Sequence, residues 1–167
     1  MNVIRAVIIL IAATALILLA CGSNTPAVSI SPVNETPPSI TSEPITITVE
    51  LTGKAWGDEF IQGLSGRTSL DGGMLFDFQE TVNAAFQMRE TLIPLSIAFI
   101  SEENTIVDIL DMQPLAAELY YSDEPYRYAI EVNQGFFTEN FIQTGDRVEF
   151  LETNSQDSLT VMFKQHK

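Results

Sequence analysis

Cysteine and histidine are almost absent from this 167-residue chain, which contains one of each. The single cysteine, Cys21, has no second thiol with which to form a disulfide. The histidine, His166, is the penultimate residue, where chains fray, so a serine–histidine hydrolase is not expected. The chain also lacks a glycine-rich phosphate loop, a calcium-loop pattern and a histidine–carboxylate metal spacing. We therefore expect no cofactor and no metal site.

Basic residues are scarce as well, since 8 lysines and arginines stand against 22 aspartates and glutamates. The formal net charge is −14, and such a surface repels phosphate backbones and anionic lipid headgroups. This balance argues against binding of DNA or RNA. The length fits one domain with appendages, and the apolar content is sufficient for a core of its own.

The N-terminal segment has the composition of a secretory signal. Arg5 precedes a predominantly apolar run over residues 6–20, which is shorter than the roughly 18 or more residues expected of a spanning helix. The run ends in Leu-Leu-Ala-Cys, which resembles the lipobox of bacterial lipoproteins, with cleavage before Cys21 and lipid attached to that residue. We predict a signal peptide over residues 1–20 and a lipidated Cys21. An uncleaved anchor is the alternative, and either arrangement places the domain outside the cytoplasm.

Residues 21–44 are rich in Ser, Thr, Pro and Asn and are predicted to form a tether. In a polyproline-like conformation of roughly 3 Å per residue, this tether could hold the domain tens of ångströms from the bilayer. The remaining residues, 45–167, are predicted to form a single globular domain. If Cys21 carries lipid, that domain has no thiol left for a nucleophile or a zinc site.

The fold class predicted for the domain is mainly β (α+β), because apolar residues alternate along most of its segments. We expect an antiparallel curved sheet or a small closed β-barrel, with two short helices at its ends. Asn133 is a candidate cap for the second helix, in which Phe137 and Phe141 would share a face. The predicted strands cover residues 45–51, 74–78, 82–89, 95–100, 105–110, 119–121, 126–133, 147–151 and 159–163. The first predicted helix begins at residue 57, and the second follows residue 133.

The stretch over residues 86–100 is the most distinctive part of the chain. Its first arm alternates apolar and polar residues and should have one buried face. Its second arm, residues 95–100, is apolar at nearly every position and should be buried on both faces. Pro94 opens the second arm, since proline has no N–H for the middle of a ladder. The polar corner of Arg89, Glu90 and Thr91 joins the arms, and residues 81–110 are predicted to form an antiparallel meander.

The sequence of this stretch, Phe-x-Met-(Lys/Arg)-x-Thr-Leu-Ile-Pro-Leu-x-Ile-Ala-Phe-Ile, resembles the central motif of domain-of-unknown-function family 192 from bacteria and archaea. Two further blocks, within residues 63–78 and 127–148, resemble the same family in the same order. Typical members read Trp-Met-Lys-Asn-Thr and then Leu-Asp, whereas this chain has Gln87, Glu90 and Ser96 at the differing positions. The family has no established activity, so the resemblance implies none for this chain.

Arginines and carboxylates provide the candidate site. We expect Arg89, Glu90 and Thr91, together with Arg67, to line a pocket for a small polar or anionic ligand, because guanidinium groups match carboxylates and phosphates. The alternative is that the arginines form ion pairs that tie loops to the barrel. The carboxylates available for such pairs are Asp108, Glu131 and Asp146. A paired-carboxylate hydrolase, using Glu90 with Asp108 or Glu131, is a further alternative.

From the sequence we therefore expect a membrane-tethered, extracytoplasmic lipoprotein that binds a small polar ligand or an envelope component without catalysing a reaction. A structural or protein-interaction module of the cell envelope is the second hypothesis. A carboxylate-dependent hydrolase is the third.

Overall fold

The computed structural model of the protein describes residues 43–166. The predicted signal peptide, Cys21 and nearly all of the predicted tether lie outside this range. None of the helices within it has the length and apolar character needed to span a membrane. In chain order the elements are β1 (Ile45–Leu51), α1 (Asp58–Gln62), β2 (Gly73–Val82), β3 (Ala85–Gln87), β4 (Leu95–Ile100), β5 (Ile106–Met112), β6 (Leu119–Tyr121), β7 (Tyr126–Asn133), α2 (Phe136–Glu139), β8 (Arg147–Glu152) and β9 (Ser158–Lys164).

The fold is mainly β, as predicted, and its large sheet curls into a half-barrel. Seven strands lie in the order β5-β4-β7-β2-β1-β9-β8, and β3 pairs with β6 in a separate two-stranded ribbon. Within residues 43–166, β1 and β2 run parallel while the other ladders are antiparallel. The two edges of the large sheet meet at one corner, where Thr105 bridges to Arg147.

Both faces of the sheet are buried, so the domain has a core on each side. The α1 core, on the face that α1 covers, consists of Phe60, Leu64, Leu70, Met74, Phe76, Phe78, Met88, Leu95, Ile97, Phe99, Met112, Tyr126 and Ala129. The α2 core, on the opposite face, consists of Val49, Leu75, Ala98, Ile100, Ile106, Ile130, Val132, Phe137, Ile142, Val148, Val161 and Phe163. Burial of this apolar surface is the main stabilising contribution to the fold.

Strand β4 confirms the prediction that the second arm of the central stretch is buried on both faces. Every residue from Leu95 to Ile100 is buried, and the strand pairs with β5 on one side and β7 on the other. Ile97 and Phe99 belong to the α1 core, whereas Ala98 belongs to the α2 core. This period of two explains why nearly every position of the strand is apolar.

The predicted meander is wrong at the first arm of the central stretch. Val82 ends β2, and the three residues of β3 pair with β6 rather than with β4. The ring of Phe86, on β3, packs edge-on against Phe76 and Phe99, at centroid distances of 5.1 and 5.9 Å. The first arm therefore covers the face of the large sheet, where it buries more apolar surface than an edge strand would.

The helices are short, and the second differs from its prediction. Helix α1 ends at Gly63, whose φ of 49° is in the left-handed region that favours glycine. Asn133 does not cap α2, since its side-chain amide donates to the carbonyl of Leu70 at 2.8 Å. Phe137 is buried at 2% exposure, but Phe141 is 80% exposed because the helix ends before it and Phe141 adopts a φ of 56°. The two rings do not share a face.

Candidate functional site

A pocket of about 180 Å³ opens between α1 and β3 on the α1 face of the sheet. Trp56 and Ile61 lie at its mouth and are 54% and 66% exposed, whereas Thr91 and Glu131 line it from buried positions. The mouth is thus formed by loop and helix residues, and the interior by the sheet and by Thr91, the last residue of the polar corner. The pocket therefore connects solvent with the buried face of the sheet.

Aromatic side chains form most of the pocket wall. Trp56, Phe60, Phe76, Phe78 and Phe86 line it. Their rings contact each other mostly edge-on, with centroid distances of 5.2 Å for Trp56–Phe78, 4.9 Å for Phe60–Phe78 and 5.3 Å for Phe60–Phe76. Each ring is held by its neighbours in a geometry that aromatic pairs favour. The wall is therefore rigid before any ligand arrives.

Glu131 is the buried acidic residue of the pocket. It lies on β7, near the middle of the sheet, and its register partners are Met74 on β2 and Ile97 on β4. The side chain is only 5% exposed, and no group within residues 43–166 donates a hydrogen bond to its carboxyl. Burial raises the pKa of the Glu131 carboxyl to about 8, because the charged form loses its hydration. At neutral pH this carboxyl is therefore mainly protonated.

The other polar side chains of the pocket are uncharged. Gln62, Ser65, Gln87 and Thr91 line it together with apolar residues and glycine, so within the lining Glu131 alone carries an ionisable acid or base. Thr91 is buried, and its hydroxyl makes no hydrogen bond with residues 43–166. The pocket thus combines an aromatic wall with two buried oxygen-bearing side chains that have no partner in this part of the chain.

The residues predicted to bind ligand are placed in different surroundings. Thr91 lines the pocket, but Arg67, Arg89 and Glu90 do not. Arg89 and Glu90 are exposed, and Arg89 donates to the carbonyl of Ala117 at 3.4 Å. The structure therefore brings one of the predicted residues to the pocket and leaves the others on the surface around it.

Arg67 instead forms a two-pronged ion pair with Glu50 on β1. Its Nη1 and Nη2 atoms donate to the two carboxylate oxygens at 2.8 and 2.6 Å. This hydrogen bonding lowers the pKa of Glu50, because it favours the charged carboxylate. Arg127 contacts Asp77 and Glu102, each at 3.4 Å. The expectation that arginines tie strands and loops together is thus confirmed for Arg67 and Arg127.

The partners expected for these arginines were wrong. Asp108 accepts from the backbone N–H groups of Ile109 and Asp123, at 2.8 and 3.2 Å. Asp146 is fully buried and accepts from the backbone N–H groups of Gln143 and His166, at 2.9 and 2.6 Å. Backbone N–H groups, both near and distant in the chain, therefore occupy the two carboxylates. The pocket also does not bring together the predicted hydrolase pair, since its lining contains Glu131 but neither Glu90 nor Asp108.

The aromatic wall and the buried state of Glu131 were not found from the sequence. Glu131 alternates with apolar residues on β7, a pattern that equally describes a strand with one face in solvent. The sequence assigned Phe86 to a strand and the residues after 57 to a helix, with no indication that these elements would enclose a cavity. Within residues 43–166, no cluster of His, Cys, Asp and Glu residues is arranged to hold a metal ion.

The domain is similar to two solved bacterial structures. A Sinorhizobium meliloti 1021 protein, described as a candidate transcription regulator, is 30% identical with a TM-score of 0.57, and the match covers 64% of this chain and 95% of that one. A Novosphingobium aromaticivorans protein of unknown function is 27% identical with a TM-score of 0.56, covering 77% of this chain and 99% of that one. The match therefore covers nearly the whole of both solved chains.

The sequence profile of domain-of-unknown-function family 192 (Uncharacterized ACR) matches residues 38–150. This range contains β1 to β7, both helices and every residue of the pocket lining. No curated protein matches the chain. The relatives therefore supply a fold and a family but no ligand.

Proposed function

Because the chain belongs to the uncharacterised domain-of-unknown-function family 192, we propose its function from the geometry of its pocket: the domain binds a small organic ligand without transforming it. The observation that carries this proposal is the pocket of about 180 Å³, walled by aromatic rings and lined by Glu131, a largely buried residue whose carboxyl has no hydrogen-bond partner among residues 43–166 and remains accessible from the pocket. The domain does this outside the cytoplasm, tethered through lipid on Cys21. That second part rests on the N-terminal sequence alone.

The dimensions of the pocket limit the ligand. Most ligand pockets hold about 300 Å³ or more, whereas an apolar cavity of about 150 Å³ is large enough for benzene. A pocket of about 180 Å³ thus suits a molecule with a single ring or a short chain. Binding would use the ring contacts of the wall for affinity and the buried polar groups for orientation.

The lining favours a neutral or positively charged ligand over the anionic ligand expected from the sequence. None of the described residues that line the pocket is a lysine or an arginine. Arg67 is occupied by Glu50, and Arg89 lies on the exposed surface. An anion placed in this pocket would have no cation beside it, and an ionised Glu131 would repel it.

A regulatory role on nucleic acid, of the kind suggested for the Sinorhizobium meliloti relative, is disfavoured here. Nucleic-acid binding depends on basic side chains that neutralise phosphates. This chain has a formal net charge of −14, so its overall field opposes approach to a polyanion.

Docking of an envelope protein is the second candidate function. It is favoured by the exposure of large apolar side chains near the pocket mouth, such as Trp56 and Ile61. Contiguous exposed apolar surface commonly marks an interaction site. In this case the pocket would receive a side chain of the partner instead of a free molecule.

Thermal unfolding of the compact unit Ile40–Lys167 tests the binding proposal. We would use a panel of small amines, neutral aromatic compounds, carboxylates, sugars and cell-wall fragments. A ligand at about a hundred times its dissociation constant adds about 2.7 kcal/mol and raises the melting temperature by several degrees. No shift from any compound would contradict small-ligand binding and favour a protein partner.

Two matched variants locate the binding event. Ala85→Trp introduces a large ring at an exposed β3 position in the pocket lining and should abolish the shift. Thr46→Trp introduces the same ring at an exposed position of β1 outside the lining and should retain it. A shift that survives Ala85→Trp would place the ligand elsewhere on the domain.

A further inference from the structure

The Glu131 carboxyl has no hydrogen-bond partner within the described chain, and although the residue is only 5% exposed, its oxygens keep some access to solvent. Its neighbours across both ladders are Met74 and Ile97, whose side chains offer no hydrogen bond. A carboxylate that loses most of its hydration is destabilised unless a partner replaces the lost water contacts. The pocket gives an external partner access to this carboxyl, since Glu131 is part of its lining.

The wall of the pocket indicates the charge of that partner. The face of an aromatic ring is negative, so rings attract a cation placed within about 6 Å of their centre. Trp56 is the strongest ring type for this interaction, and it stands at the mouth beside Phe78. Aromatic rings and a carboxyl that line the same pocket are a combination suited to an organic ammonium group.

We propose that the pocket selects a small organic amine in its ammonium form, which pairs with the Glu131 carboxylate and contacts the aromatic wall through its cationic head and apolar body. This inference rests on the proposed binding function and names the class of ligand. The ammonium group has three N–H donors. The Glu131 carboxylate accepts one or two of them, and the hydroxyl of Thr91 is a further buried acceptor in the same lining.

Charge is balanced by the release of one proton. In the empty pocket the Glu131 carboxyl is mainly protonated at pH 7, since burial raises its pKa to about 8. When the ammonium ion enters, the O–H bond of the carboxyl breaks, its proton passes to solvent, and the ion pair forms. Affinity should therefore increase from pH 6 to pH 8.5, provided that the amine itself remains protonated over this range.

Among the described residues, the titratable side chains that share the α1 core with Glu131 are Tyr126 on β7 and Tyr120 on β6. Burial raises the pKa of both phenols, so neither changes charge between pH 6 and pH 8.5. The facing residues on α1, β2, β3 and β4 are Phe60, Met74, Phe76, Phe78, Phe86, Leu95, Ile97 and Phe99. The nearest charge in the same row of the sheet is Glu50, which pairs with Met74 across β1 and β2 and so lies two strands from Glu131. Two strand spacings are about 10 Å, and the charge of Glu50 is compensated by Arg67. The pH dependence is thus assigned to Glu131.

Calorimetric titration of the unit Ile40–Lys167 with three isosteric probes tests the inference. Benzylamine is the cation, benzyl alcohol is the neutral control and benzoate is the anion. We expect benzylamine to bind at least about tenfold more tightly than benzyl alcohol at pH 8.5, and benzoate not to bind. Titrations in two buffers with different ionisation enthalpies should report release of close to one proton at pH 7.

Glu131→Gln is the decisive variant, because glutamine preserves the shape of the side chain and removes the negative charge. It should weaken benzylamine binding by at least about tenfold and leave benzyl alcohol binding nearly unchanged. Near-equal affinity of the amine and the alcohol, in both proteins, would overturn the inference while leaving small-ligand binding intact. Tighter binding of benzyl alcohol than of benzylamine would also overturn it, and would identify Glu131 as a neutral hydrogen-bond donor. Failure of all probes, together with no shift across the thermal panel, would instead reject the proposed binding function.

Discussion

Among the single residues of this domain, Glu131 has the chemistry most altered by folding. An unfolded glutamate would titrate near 4.5, whereas in the folded domain burial raises the pKa of Glu131 to about 8. The cause is the position of β7 between β2 and β4, with α1 and β3 covering the same face. A carboxyl at this position destabilises the empty domain. The proposed role of Glu131 in ligand binding would account for its presence there.

Glu131 should make stability fall with pH, and Glu131→Gln should remove that dependence. Between about 4.5 and about 8 the unfolded state loses the proton while the folded state keeps it, so the free energy of unfolding decreases as pH rises through this window and is level above it. The variant should match the wild type near pH 4 and exceed it by on the order of 5 kcal/mol near pH 9. Urea unfolding of residues 40–167 at the two pH values measures the difference.

An exposed carboxylate serves as the control for that measurement. Glu124 is exposed, so Glu124→Gln should change the pH dependence of unfolding very little. If the free energies of unfolding of Glu131→Gln and wild type differed by the same amount at pH 4 and pH 9, the pKa of Glu131 would not be raised by folding.

Arg89 and Thr91 give opposite expectations for ligand binding although only Glu90 separates them. Arg89 is exposed and outside the pocket lining, so Arg89→Ala should retain the thermal shift produced by a ligand. Thr91→Val has nearly the same shape but lacks the hydroxyl in the lining, and should reduce the shift. Thermal unfolding with and without ligand compares the variants. Loss of the shift in Arg89→Ala, together with its retention in Thr91→Val, would instead support an arginine-lined ligand site of the kind predicted from the sequence.

Among the elements, the junction that leads into β2 depends on a glycine. Gly72 adopts a φ of +75°, and a Cβ built on it would lie 2.1 Å from the carbonyl oxygen of Thr48 in β1. Gly66 has a similar φ of +76°, but nothing lies within 4 Å of its Cβ position. The two positions therefore share the same backbone conformation and differ in the space available.

Gly72→Ala should destabilise the domain far more than Gly66→Ala. The left-handed conformation costs a non-glycine residue about 1–2 kcal/mol, which is the whole effect expected at Gly66. At Gly72 the backbone of β1 would also have to move, which should add several kcal/mol because β1 pairs with both β2 and β9. Urea unfolding compares the two variants, and soluble yield replaces it if Gly72→Ala does not fold. Equal losses would mean that β1 accommodates the added methyl group.

For the whole molecule, the prediction to test is that lipid on Cys21 tethers the domain to a membrane. If Cys21 carries lipid, Cys21→Ser should move the full-length protein from the membrane fraction to the soluble fraction. Serine has no thiol to which the lipid could be attached, so the variant would lose its anchor. Fractionation of cells that express each form, with the fold checked by circular dichroism, measures this. Continued tight membrane retention of Cys21→Ser would favour an uncleaved apolar anchor instead.

Local patterns were sufficient for most elements of the domain. Alternation of apolar residues depends only on neighbours in the chain, so β1, β4, β7 and α1 could be predicted within a residue or two. The family was recognisable from the central motif for the same reason. The position of α2 was predicted, but the side on which Phe141 lies was not, because that depends on where so short a helix stops.

The pairing of strands and the chemistry of the pocket depend on contacts between distant parts of the chain. β3 joins β6 across more than thirty residues instead of joining β4, which places Phe86 over the sheet and creates a wall of the pocket. Glu131 occupies a polar position of an ordinary alternating strand, and the sequence contains no sign that this face would be covered. The free energy of a carboxyl depends on the solvent and partners around it, and packing decides both. The sequence was therefore enough to identify the family and the elements, whereas the buried acid and its aromatic surroundings emerge when those elements are assembled.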